Sequence, residues 1–160
     1  MLYYKVGDLL AAPQKTIAHQ VNCQGKMESG IAKAIRNKYP KVYKEYMVLY
    51  NYWIDINKAV LPGYSQIVYT ENRYIFNLFG QVRYGYDELI YTPYAYLSIA
   101  LDRCFSEMCE IGETEIAIPY KMGCDKGSGT DWNVVESILE NLSKKYKVDV
   151  YVYSINGYDF

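Results

Sequence analysis

Two polar, glycine-containing stretches carry most of the residues that could do chemistry: Asn22-Cys23-Gln24-Gly25-Lys26-Met27-Glu28-Ser29-Gly30 and Gly123-Cys124-Asp125-Lys126-Gly127-Ser128-Gly129-Thr130-Asp131. Each runs into a segment with helical periodicity. Glycine lets the backbone approach an anion closely, and the free N–H groups at a helix start supply donors for it. Two such loops facing one crevice suit two phosphates. Neither matches GxxxxGK[ST], and no GxGxxG follows the first strand, so triphosphate hydrolysis and dinucleotide redox chemistry lose ground. Glycine-rich turns that are only turns are the alternative for both loops. The groups available for acid–base work are His19, Asp125 and Asp131, with Arg83 and Asp87 in a further loop. Each also has a structural use: a lone histidine beside Ile17 and Ala18 serves a core, and Asp131 serves as a helix cap.

The composition bounds what these groups can be part of. The chain has 160 residues, the size of one domain, so residues 1–160 are expected to form a single unit. Its hydrophobic fraction of 51% is enough for a core. Lys and Arg total 17 against 18 Asp and Glu, a net charge of −1, which disfavours nucleic acid as a partner because phosphate attraction needs clustered cations. No apolar run reaches the length of a membrane span and the start lacks a signal peptide, so the expected location is the cytoplasm, with no membrane partner. Cys23, Cys104, Cys109 and Cys124 form no CxxC pair, and with one histidine no metal site is expected. Tyrosine is the unusual residue, 20 in all, and its apolar body with a polar tip suits half-buried surfaces.

The elements that must position the two loops follow from periodicity. Leu2–Val6 and Thr16–Val21 read as short strands, the second feeding the loop Asn22–Ser29. From Gly30, Ile31, Ala34, Ile35 and Tyr39 share one helical face until Pro40, and Lys41–Ile56 is a second helix with Val42, Tyr46, Leu49, Tyr50 and Trp53 at three-to-four spacing. Ser65–Tyr69 and Tyr74–Phe79 are strands joined by a hairpin at Thr70-Glu71-Asn72-Arg73, followed by a loop from Gly80 to Leu89. Tyr94–Cys109 is helical, placing Cys104 and Cys109 on different faces. Glu115–Ile118 is a strand ending at Pro119, the loop Tyr120–Thr130 leads to a helix capped by Asp131 and running to about Lys145, and Val148–Tyr153 is the last strand. Alternating strands and helices predict an α/β fold, a three-layer α/β/α sandwich around a central mixed sheet. In such sheets ligands collect beyond the carboxyl ends of strands, where both loops lie.

Four stretches in register resemble the macrodomain family: Val6-Gly7-Asp8-Leu9; Ile17-Ala18-His19-Gln20-Val21-Asn22-Cys23-Gln24-Gly25; Ser29-Gly30-Ile31-Ala32-Lys33-Ala34-Ile35 with Tyr39-Pro40; and Ile118-Pro119-Tyr120-Lys121-Met122-Gly123-Cys124 with Asp131-Trp132. The likeness is to small stand-alone macrodomains of bacteria and phages, and to the branch with ADP-ribose-1''-phosphate phosphatases and terminal ADP-ribose glycohydrolases. It implies binding of ADP-ribose or a derived nucleotide, with no cofactor, by a reader or a sponge for a signal made from NAD. Asp8 would accept from the adenine amino group with the Leu9 backbone beside it. Asn22, Gln24, Gly25, Ser29, Gly30 and Ile31 would line the distal ribose and diphosphate. Gly123, Cys124, Gly127, Ser128, Gly129 and Thr130 would close over the other side.

The second loop departs from the family pattern, being one residue longer and placing Asp125 and Lys126 where a glycine and an apolar residue are usual. The resemblance leaves a hydrolase as the alternative, acting on ADP-ribose-1''-phosphate or acyl-linked ADP-ribose, with His19 and Asp125 as its catalytic candidates. Asn77 to Arg83 holds no lysine at the position the glycohydrolase branch uses, so covalent attack by an amine is not supported. Tyr84, Tyr86 and Tyr91 are candidate walls of the distal pocket.

Overall fold

The computed structural model describes residues 1–82, 93–124 and 130–157. Six strands, β1 (Leu2–Val6), β2 (Thr16–Asn22), β3 (Ser65–Thr70), β4 (Arg73–Gln81), β5 (Glu115–Pro119) and β6 (Asp149–Ser154), form one sheet in the order β1-β6-β5-β2-β4-β3. β3 runs antiparallel to β4 and the other neighbours are parallel, so the sheet is mixed as expected. Helices α1 (Gly30–Lys38) and α2 (Pro40–Ile56) cover one face, and α3 (Pro93–Ile111) and α4 (Trp132–Tyr146) the other. The three-layer α/β/α sandwich is therefore observed.

Each layer follows from local chemistry. Parallel strands sandwiched between helices must be apolar on both faces, and β2 and β4 are buried along almost their whole length. Pro40 does not only end α1; as the first residue of α2, with no N–H to lose there, it starts the next helix. The β3–β4 hairpin turns through Glu71 and Asn72, both left-handed, the geometry that matches strand twist in a two-residue turn. α3 buries Leu97, Leu101, Cys104, Phe105 and Met108 while Cys109 is exposed, as its spacing predicts. One difference matters: β4 extends through Gly80 to Gln81 rather than stopping at Phe79. The β1–β2 connection carries a single 3-10 turn, Leu9–Ala11.

That connection crosses the α1/α2 face with its carbonyls turned inward, and Arg73 satisfies them. Its guanidinium donates to Leu10 O (2.7 Å), Gln14 O (2.9 Å), Ala12 O and the Tyr39 hydroxyl. Lys38 Nζ adds a second bond to Leu10 O at 3.0 Å. Arg73→Ala strands several part-buried carbonyls at about 1–3 kcal/mol each, so a loss of about 3 kcal/mol is expected in denaturant unfolding. Arg73→Lys should recover less than half of it, because an ammonium cannot fork to three carbonyls.

A polar ladder crosses the same face. His19 on β2, Asn77 on β4 and Gln66 on β3 stand in register. Asn77 Nδ2 donates to Gln66 Oε1 (3.0 Å), and Gln66 Nε2 donates to Glu45 O on α2 (2.9 Å). Asn77 Oδ1 therefore faces His19 Nε2, at 2.6 Å, and the imidazole carries its hydrogen there. Its Nδ1 is buried with no partner among the described residues. Burial, partly offset by the Asn77 bond, lowers the His19 pKa from 6.5 to about 4. The unfolded chain then binds one more proton between those two values, so stability contributed by neutral His19 is complete above pH 6.5 and is lost as the pH falls toward 4. Between pH 7 and pH 5 the wild type should lose about 2 kcal/mol more unfolding free energy than His19→Gln. Equal losses in the two proteins would remove His19 as the cause.

Candidate functional site

The crevice is created by chain direction. β2 and β5 are parallel neighbours, yet β2 passes into α1 on one face of the sheet while β5 passes into α4 on the other. The two exits part above adjacent strand ends, the topological switch point at which open α/β sheets take ligands. Loop 23–29 lies on one side and residues 120–124 and 130–131 on the other. The exits of β1 and β6 adjoin this line, tied together by Gly7 N–H donating to Ser154 O at 2.8 Å.

The first loop is held from below. Asn22 is buried, and its Nδ2 donates to Lys26 O (2.9 Å) while its Oδ1 accepts from Gln24 N–H (3.0 Å). Its amide thus shapes the loop. Met27 is fully buried among the α1/α2 core residues and pins the loop's far end. Gly25 has φ +76, and a Cβ there would stand 2.9 Å from the Tyr50 ring, so the position excludes side chains on both counts. Gln24, Ser29 and Gly30 are exposed and Ile31 half-buried. Ser29 occupies the N-cap of α1 without a side-chain cap bond, leaving the first-turn amides for another acceptor.

The second loop is closed at its base. The Thr130 hydroxyl donates to Gly123 O, Cys124 N–H donates to Lys121 O (2.8 Å), and Asp131 N–H donates to the Tyr94 hydroxyl (2.8 Å). Asp131 is the α4 cap, accepting from Asn133 N–H at 2.9 Å, which is the structural alternative raised for it. Asp125, Lys126, Gly127, Ser128 and Gly129 lie outside the described residues, as do Arg83, Asp87, Tyr84, Tyr86 and Tyr91. Beneath this loop lies Gln20. Its Oε1 would be 2.5 Å from a Cβ on Gly80 and 3.3 Å from one on Gly123, and Leu97 crowds both positions. Gly80 in β4 is thus a site of close approach, and a glycine inside a strand run was the available signal.

At the β1 end, Asp8 caps the 3-10 turn by accepting from Leu10 N–H (2.9 Å) and is exposed, whereas Leu9 is buried. Val6 (65% exposed) and Ile155 (79%) present apolar surface beside it. The turn at residues 155–157 folds back on Val6, since a Cβ on Gly157 would be 3.0 Å from Val6 Cγ2. An apolar platform next to a carboxylate suits a purine with an exocyclic amine.

His19 does not join these groups, because no part of it reaches solvent. Cys23 sits in the first loop, but burial pushes its thiol up to about 12, so it holds no thiolate at neutral pH. Among the described residues, no cluster of three His, Cys, Asp or Glu could hold a metal ion, and no helix is long and apolar enough to cross a membrane.

No family model matches the chain. An uncharacterized 17.5 kDa protein from the tk-vs intergenic region of Enterobacteria phage T4 is 32% identical over 152 residues, 91% of this chain and 92% of that protein. The DNA ADP-ribosyl glycohydrolase of Mycobacterium tuberculosis is 26% identical over 159 residues, and the match spans 98% of this chain but 43% of that protein. The solved macrodomain of Mycobacterium tuberculosis DarG superposes with a TM-score of 0.79 at 26% identity, covering 96% of this chain and 97% of that one. Sequence likeness and superposition agree across nearly the whole length: the chain has the macrodomain fold and is similar to macrodomains in sequence.

Proposed function

We propose that the crevice binds ADP-ribose or an ADP-ribose-derived nucleotide, and that the protein serves as a reader or sponge of an NAD-derived signal in the cytoplasm. One observation carries the reading. A single line of strand ends offers a carboxylate beside apolar surface at Asp8, Val6 and Ile155, then the uncapped start of α1 at Ser29–Gly30 with the exit of β5 opposite. That order matches a purine, a diphosphate and a second sugar. The anion is met by backbone donors and a helix dipole, which a chain of net charge −1 can supply without a basic patch. Of the residues proposed to touch the ligand, Asp8, Gln24, Ser29 and Gly30 have exposed surface, whereas Asn22 supports them from beneath.

Hydrolysis is the second reading, favoured by the name of the mycobacterial relative, a DNA ADP-ribosyl glycohydrolase. In this chain it would fall to Asp125 on the second loop. The enclosure of His19 weighs against that imidazole as a proton carrier, since a general base must come within hydrogen-bond reach of the proton it takes.

Calorimetric titration with ADP-ribose tests the binding reading. A micromolar Kd that Asp8→Ala weakens about ten-fold, the worth of one good hydrogen bond to a charged group, is the expected result. Absence of binding would overturn it. Chromatography of ADP-ribose-1''-phosphate, acyl-linked and DNA-linked ADP-ribose after incubation separates the two readings: conversion lost in Asp125→Ala but retained in His19→Gln would establish the hydrolase.

A further inference from the structure

We infer that Tyr46, on helix α2 and outside every stretch of the family likeness, is the positioning residue that holds the first loop in its ligand-ready shape. The inference rests on the binding reading above and names the group that sets its affinity. Tyr46 is fully buried, yet its hydroxyl lies within hydrogen-bond distance of four atoms of the loop. It accepts from Gly25 N–H (3.0 Å) and Lys26 N–H (3.1 Å). Its one hydrogen is offered to Asn22 O and Asn22 Oδ1, both at 2.8 Å.

The phenol's capacity is therefore fully used, one donor and two acceptor places, all on one turn of backbone. Burial raises its pKa, so the hydroxyl keeps the proton it donates at any working pH. The ring cannot drift, because it stacks on Phe79 of β4 with centroids 5.5 Å apart and planes 19° from parallel. Phe79 belongs to the strand that pairs with β2, so one side chain ties the loop to both strands beneath it. Tyr50, one helical turn further along α2, closes against Gly25. The helix thus presents a rigid template, and a loop already in its bound shape spares the ligand the cost of ordering it.

The test compares Tyr46→Phe, which keeps the ring and its stack, with wild type and with Tyr64→Phe, whose ring packs edge-on against the same Phe79 at 6.0 Å. Two readouts are taken on the full chain: amide hydrogen exchange, and titration with ADP-ribose. Tyr46→Phe should speed exchange at Gly25 and Lys26 about ten-fold or more, leave β2 and α3 amides unchanged, and weaken ADP-ribose about ten-fold. Tyr64→Phe should match wild type in both. Unchanged exchange at Gly25 and Lys26 would overturn the inference, and so would faster exchange with unchanged affinity. If wild type does not bind ADP-ribose, the functional reading fails by itself while the exchange data still decide whether Tyr46 holds the loop. Should Tyr46→Phe not fold, Phe79→Leu, which removes the ring that Tyr46 stacks on, must speed exchange at Gly25 and Lys26 and weaken ADP-ribose in the same way, and no change in either would overturn the inference.

Discussion

The structure depends on one topological constraint: β2 and β5 lie side by side and parallel, and their chains leave to opposite faces of the sheet. A parallel strand cannot return by a tight turn, so each exit must climb over its own face into a helix. The helices α1 and α4 then pull apart, and the crevice between them is a consequence of connectivity before any side chain is considered. Burial of β2 and β4 on both faces makes this arrangement stiff. The loops above are free to vary because the strands beneath are not.

Support for the crevice comes from residues packed beneath and behind its loops. Asn22 and Met27 shape the first loop from inside, Gln20 and Leu97 fill the space under the second, and Thr130 closes its base. Arg73 performs the same service for the stretch that carries Asp8, donating to carbonyls that the single 3-10 turn of that connection leaves without backbone partners. Among the described residues, the surface that results offers N–H groups and dipoles with the Asp8 carboxylate at one end, and in the first loop the exposed charges of Lys26 and Glu28 balance. Such a surface recognises an anion by shape and donor direction and is less sensitive to salt than a lysine patch.

Much of this was legible in the sequence and some was not. The amphipathic stripe of α1, the hairpin at Glu71-Asn72 and the buried stripe of α3 depend on local periodicity and turn chemistry, and all three stand as read. Glycine is the usual punctuation between elements, and the sequence reads Gly80 as the start of a loop. It lies instead inside β4, where Gln20 and Leu97 leave no room for a side chain, and that crowding comes from two distant segments. His19 shows the reverse case. Its position in the family motif marks it as a candidate for chemistry, while its partner Asn77, and Gln66 bonded to Asn77 in turn, come from strands that only the fold brings alongside. Tyr46 was visible only as one more aromatic on a helical face, and its hydroxyl acquires meaning from a loop twenty residues earlier in the chain.

The central claim, that the strand ends around the switch point are where a nucleotide is held, is tested most directly by following backbone amide resonances during titration with ADP-ribose. The account predicts shifts at residues 8–10, 23–31 and 123–131, with the outer faces of α2 and α3 unmoved. No shifts at saturating ligand, or shifts confined to those helix faces, would contradict it.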